Sequence, residues 1–193
     1  MNEDVELTSG QVASWYHGKI LRIPHGKQYP KKRYLNDKGI LELFGGIVVI
    51  QEKVDGKQHC DGKLDCWQMR EDMTGKHTVH EHVLNYTNLP PNKMIFLDLI
   101  AGDSLDNLRV LKEVEGAYST HDLDYATLYC KNWRIGQIYG ILEVLASLKS
   151  HFGPEKIEGL VIKNYGKQLF GKWINDEFED KLRTSDDEWK GHC

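Results

Sequence analysis

Ile47-Val48-Val49-Ile50-Gln51-Glu52-Lys53-Val54-Asp55-Gly56 is the stretch on which the rest of the chain depends. Its β-branched opening reads as a buried strand. That strand carries a lysine to its end, followed by an acid and a glycine where the chain turns. A lysine is costly to bury as a charge. It suits the end of a core strand if its amine is a nucleophile, because partial desolvation and nearby cations lower its pKa and free the lone pair. A surface Lys-Val-Asp-Gly turn at a hairpin fits the same four letters, so the tetrapeptide needs support from elsewhere.

The 193 residues are expected to form a single domain, with 40% hydrophobic residues and five Trp, nine Tyr and five Phe to fill its core. No apolar run is long enough for a membrane helix, and the acidic Met1-Asn2-Glu3-Asp4 does not resemble a signal peptide. Cys60, Cys66, Cys130 and Cys193 form no Cys-x-x-Cys pair and read as reduced thiols, which suggests a cytoplasmic protein. A net charge of −4 excludes a protein that coats nucleic acid indiscriminately. It leaves room for a local basic face. Lys27, Lys31, Lys32 and Arg33, interleaved with Tyr29 and Tyr34, combine cations for phosphates with rings for unpaired bases. A solvated charged loop beside Pro30 fits equally well.

Along the chain, short apolar segments are expected at 19–23 and 40–44. A hairpin is expected to return over 63–70 after an Asp61-Gly62 turn, and further strands at 94–101, 157–164 and 168–174. Residues 132–152 show the clearest helical spacing, through Trp133, Ile135, Ile138, Leu142, Leu145 and Leu148, and Gly153-Pro154 stops it. Residues 77–89 read as helical or irregular, and the charged tail from 175 as a terminal helix. The pattern is α+β with one long helix.

A second anchor lies about a hundred residues past the first. Glu158-Gly159-Leu160-Val161-Ile162-Lys163 again brackets an apolar strand with an acid and a lysine, and Phe170-Gly171-Lys172-Trp173 follows. On a regular strand residues 158 and 163 face opposite sides, so a local twist is needed for both to serve one site.

Together these stretches resemble the covalent nucleotidyltransferase superfamily of polynucleotide ligases and mRNA capping enzymes. Lys53-Val54-Asp55-Gly56 matches its first motif, Glu158 to Lys163 its fourth, and the strand around Lys172 its fifth. Arg22-Ile23-Pro24-His25 and the run Glu158 to Tyr165 look like the RNA-ligase branch. The resemblance implies antiparallel sheets around a nucleotide-binding cleft, an adenylation domain of ATP-grasp-like form, and no appended oligonucleotide-binding domain, since only about twenty residues follow the fifth motif. It implies an ATP-dependent RNA ligase in which Lys53 attacks the α-phosphorus of ATP to give a lysyl-AMP. The AMP then passes to an RNA 5′-phosphate, and a 3′-hydroxyl seals the strand. Lys163 and Lys172 would lower the pKa of Lys53 and offset charge on the α-phosphate. Glu158 would hold magnesium, with manganese as the alternative. Glu52, Asp55 and Gly56 would place the nucleotide. Arg70 matches the arginine on the strand after the nucleophile, and a surface arginine fits as well. For the acid that binds the ribose, Asp98 with Phe96 as an adenine-stacking ring and Glu71 both remain open. A DNA ligase, a GTP-using capping enzyme, a non-catalytic RNA-end-binding module and AMP transfer to another acceptor are the competing expectations.

Three other signals are weaker. Gly166-x4-Gly171-Lys172 approximates a P-loop but continues into Trp173, where that loop needs Ser or Thr for magnesium. His77, His80, Glu81 and His82 match no zinc spacing. Cys60 beside His59 reads as an ordinary thiol.

Overall fold

A computed structural model describes residues 7–24, 34–63, 66–73, 84–90, 92–112, 123–181 and 184. The basic loop other than Tyr34, His25, the His77–His82 group and Cys193 lie outside the described residues. The chain runs α1 (Ser9–Lys19), β1 (Ile20–Arg22), α2 (Asp37–Leu43), β2 (Gly46–Lys53), β3 (Lys57–Lys63), β4 (Cys66–Asp72), β5 (Met94–Ala101), β6 (Arg109–Leu111), β7 (Asp124–Cys130), α3 (Ile135–Ala146), β8 (Gly159–Asn164) and β9 (Leu169–Ile174). Residues 176–181 are also helical.

The β-branched run becomes β2, an inner strand of a five-stranded sheet ordered β1-β9-β8-β2-β7. Its pairs are antiparallel except β1 with β9, which is parallel. The second sheet, β3-β4-β5-β6, is antiparallel throughout. The architecture is therefore α+β with two largely antiparallel sheets.

Alternation along β2 and β8 sorts the first sheet into two faces. Val48, Ile50, Leu160, Ile162 and Trp173 join Ile40 and Leu43 of α2 and Ile138 and Leu142 of α3 in one core. The other face meets the second sheet. There Phe170 packs with Trp67, Met69 and Ile100, and Val12 and Tyr16 of α1 join them. Val54, Met73, Ile95, Leu123 and Phe152 form a further cluster at the far end. A cavity opens here, lined by Tyr16 and Leu97 beside the first of these clusters and Val54 from the second.

Several elements differ from the sequence expectation, each for a local reason. The single long helix becomes three named helices, and α3 stops at Ala146 with Ser147 as its cap. The Ile40–Phe44 run lies in and beside α2, because Asn36 Oδ1 accepts from the Gly39 amide at 2.8 Å and starts a helix there. In α1 Thr8 and Gln11 form a reciprocal capping box, and only Val12 and Tyr16 are buried, which is why its periodicity is faint. Asp61-Gly62 is not the hairpin turn but lies within β3. A side chain on Gly62 would meet the Cys66 carbonyl at 2.3 Å, so this glycine permits a close strand approach rather than a turn.

Candidate active site

A cavity of about 480 Å³ lies between the sheets, within the usual range for small-molecule sites. Register explains its floor. Gln51 pairs with Val161 and Lys53 with Gly159, while Val161 pairs with Lys172. Cross-strand partners point to the same side. Lys53, Lys163 and Lys172 therefore share one sheet face, and all three line the cavity.

Glu158 joins them without any twist of the strand. It sits one residue before β8 begins, so the alternation that separates 158 from 163 does not govern it. The Asn175 amide donates to its carbonyl at 2.8 Å, and its carboxylate meets the Lys53 ammonium at 2.7 Å. Glu158 is buried, and the Lys53 side chain is a quarter exposed.

The electrostatics of Lys53 differ from the expectation of a lowered pKa. Burial pulls it down, but Glu158, Glu71 and Asp55 push it up, and the acids win. In the folded protein Lys53 is held as an ammonium. Glu158 is itself raised by burial, which outweighs the pull of Lys53. Glu71 is pushed up to about 7, chiefly by burial. Two protonatable carboxylates thus share the cavity with the amine.

The remaining expected residues separate into those on the cavity wall and those off it. Asp55 and Gly56 line it. Asp55 Oδ2 accepts from the Leu84 amide at 3.1 Å, while its own amide donates to the Tyr86 hydroxyl at 2.7 Å. Gly56 lets Glu71 in: a side chain there would meet Glu71 Cγ at 2.6 Å and the Asp72 carbonyl at 2.8 Å. Glu52 borders the cavity, but its carboxylate is spent on the opposite face of β2. It accepts from Ser150 Oγ at 2.5 Å, the His151 amide at 2.9 Å and the Tyr125 hydroxyl at 3.0 Å. Its side chain fixes the segment after α3 rather than reaching a nucleotide.

Of the two acids left open, Glu71 lies on the cavity wall and Asp98 does not. The Asp98 carboxylate is fully buried and engaged by Tyr16, Tyr165 and Lys163. Phe96 and Arg70 are register partners. Alternation along β4 (Met69 and Glu71 buried, Arg70 half-buried between them) sets that pair on the side away from Glu71. Among the described residues Arg70 meets Asp61, at 3.5 Å. Phe96 is buried without lining the cavity, so neither its stacking role nor the nucleotide contact of Arg70 has support here.

Several cavity residues had no motif to announce them, Tyr16, His17 and Phe178 among them. Tyr16 and His17 come from the end of α1, and Phe178 from the helical residues 176–181. Burial, then Lys172 and Lys53, lower the His17 pKa, so this imidazole is neutral in neutral solution. Their sequence signal is a lone Tyr-His pair before a glycine and one aromatic in a charged tail, which fixes nothing by itself.

The donor set can be tested against the expected metal. Among the described residues no group of three or more His, Cys, Asp or Glu is placed to chelate an ion. Magnesium needs only one or two carboxylates, with waters and substrate phosphates completing its shell, so Glu158 and Glu71 beside a triphosphate meet that requirement. Compared with family models, curated proteins and solved structures, the chain gives no match in any of the three. The resemblance therefore rests on the sequence motifs.

Proposed function

We propose that this chain is an ATP-dependent nucleotidyltransferase of the RNA-ligase kind, with Lys53 as its nucleophile. One observation carries the proposal. Residues about a hundred positions apart, Lys53 against Glu158, Lys163 and Lys172, converge on one face of one sheet and on one cavity.

The residues divide the work as follows. Lys163 and Lys172 offset the phosphate charge as it grows during in-line transfer. Glu158, with Glu71 nearby, would hold magnesium, which when bound would further neutralise the phosphates. A proton leaves Lys53 Nζ for Glu158 Oε1, 2.7 Å away. The N–P bond forms as the bond from α-phosphorus to the pyrophosphate oxygen breaks, and the second nitrogen proton departs with pyrophosphate. Glu71, on the wall, is the acid available to the ribose hydroxyls. AMP then passes to an RNA 5′-phosphate, and a 3′-hydroxyl displaces it.

Incubation with α-labelled ATP or GTP and magnesium, followed by denaturing electrophoresis, tests the proposal. A covalent label from ATP that Lys53→Ala abolishes is the expected result, and Glu158→Ala should reduce it at least a hundredfold, the scale of losing a principal charge-stabilising group. Labelling from GTP alone points to capping chemistry, and none from either points to an RNA-end-binding module. Adding 5′-phosphorylated RNA or nicked DNA to the labelled protein identifies the acceptor.

A further inference from the structure

Behind the cavity wall, two tyrosine hydroxyls converge on a carboxylate that the proposed chemistry does not use. Tyr16, on α1, donates to Asp98 Oδ2 at 2.5 Å, and Tyr165, just past β8, donates to Asp98 Oδ1 at 2.7 Å. Lys163 Nζ donates to Asp98 Oδ2 at 2.8 Å and to the Leu97 carbonyl at 3.2 Å. Tyr16, Asp98 and Lys163 are each no more than 2% exposed. Burial and the adjacent Asp98 hold the Tyr16 pKa well above its ordinary value, so its hydroxyl keeps its proton and remains a donor.

We infer that Tyr16 and Tyr165, acting through Asp98, are positioning residues that fix the Lys163 ammonium at the cavity wall as a phosphate-binding cation. An ammonium has three N–H donors. Two are spent on the Asp98 carboxylate and the Leu97 carbonyl, which leaves one for the cavity that Lys163 lines. A lone buried carboxylate would hold the lysine as a closed ion pair with little charge to offer a ligand. Two hydroxyl donors draw part of the carboxylate's charge away from the lysine, and the cation keeps more of its field toward the cavity. Asp98 therefore acts on the phosphates through Lys163 and not on the ribose.

The inference rests on the nucleotidyl-transfer proposal, and single-turnover kinetics separate the two. The maximal rate of lysyl-AMP formation and the half-saturating ATP concentration are measured for the wild type, Tyr165→Phe, Tyr16→Phe and the double variant, each with its Tm. Tyr165 is half-buried, and its ring packs edge-on to Phe170, a contact that Phe retains. The expected result is a maximal rate lowered about tenfold in each single variant, the size of a misplaced charge-stabilising donor. Half-saturation should move less than about twofold, since the lysine stays in place for the ground state. A folded double variant with the wild-type maximal rate overturns the inference, as does a change confined to half-saturation. If Tyr16→Phe fails to fold, Tyr165→Phe alone decides in the same way. A wild-type protein that forms no adduct overturns the nucleotidyl-transfer proposal, and this inference with it.

Discussion

A carboxylate set among other carboxylates beside a single ammonium cannot follow its ordinary titration, and Glu71 is the case in hand. Burial raises it to about 7, Glu158 and Asp55 add to the rise, and Lys53 and the Gln58 amide oppose it. The folded protein therefore holds this proton more tightly than the unfolded chain, where the group titrates near 4.5. Between those two values the folded state binds more protons, so stability falls as pH rises through the window and levels off above it. A rise of this size corresponds to about 3 kcal/mol lost between the two limits. Urea unfolding of Glu71→Gln at pH 5 and pH 8 should lose about 2 kcal/mol less stability across that interval than the wild type does. An unchanged difference between the two pH values would show that Glu71 titrates normally. The prediction concerns the slope, because the amide's effect on packing is the same at both pH values. The sequence offered Glu71 as one of two choices for a ribose contact, but not its place on the cavity wall against Gly56 and near Lys53.

At the scale of the element, the start of β8 decides whether the site exists. Gly159 pairs with both Lys53 and Ile174, and a side chain there would meet the Trp173 carbonyl at 2.0 Å and Ile174 Cα at 2.9 Å. Both are backbone, so β9 would have to move away from β8, taking Lys172 with it and shifting Glu158 off Lys53. Gly159→Ala should cost about 3 kcal/mol by overpacking and remove most of the covalent label; a Tm within one degree of wild type would contradict the close approach. Gly140 makes the opposite case. It lies in α3 with nothing within 4 Å of an added side chain, so Gly140→Ala should stabilise the protein by about 0.5–1 kcal/mol and leave labelling unchanged. β2, β5, β8 and β9 were legible because each is an apolar run bounded by turn residues. α1 and α2 were not, because two buried residues apiece leave hardly any periodicity to read, and the strands β6 and β7 carry three and seven residues of mixed exposure.

For the whole molecule, the motifs named the residues but not the partition between cavity and support. Lys53, Glu158, Lys163 and Lys172 gather on one cavity, as the motif resemblance implies. Phe96, Arg70 and the Glu52 carboxylate turn away from the cavity, whereas Asp98 shares the inter-sheet face with Met69 and is engaged there by Lys163, Tyr16 and Tyr165. Short-range pattern cannot report which long-range partner a side chain finds. The same is true of a contact that joins the two sheets beside the cluster of Trp67, Ile100, Val110 and Phe170. Gln168, in the turn between β8 and β9 with a left-handed φ of 54°, reaches across to the second sheet. Its Nε2 donates to the Val110 carbonyl at 2.8 Å, and its Oε1 accepts from the Val110 amide at 2.7 Å. One side-chain amide thus replaces a strand neighbour for β6, and it ties the edge of the four-stranded sheet to the five-stranded one. Val110 is fully buried, so without that amide both of its backbone groups lose a partner. Gln168→Ala should cost about 2–4 kcal/mol, from two unsatisfied groups and a left-handed residue that no longer gains from its conformation. Hydrogen exchange locates the effect more sharply than a global unfolding curve. The Val110 amide should lose most of its protection while the amides of β2 and β8 keep theirs, because only the join between the sheets opens. If Val110 stays as protected as the core of β2, the join between the sheets does not depend on this amide.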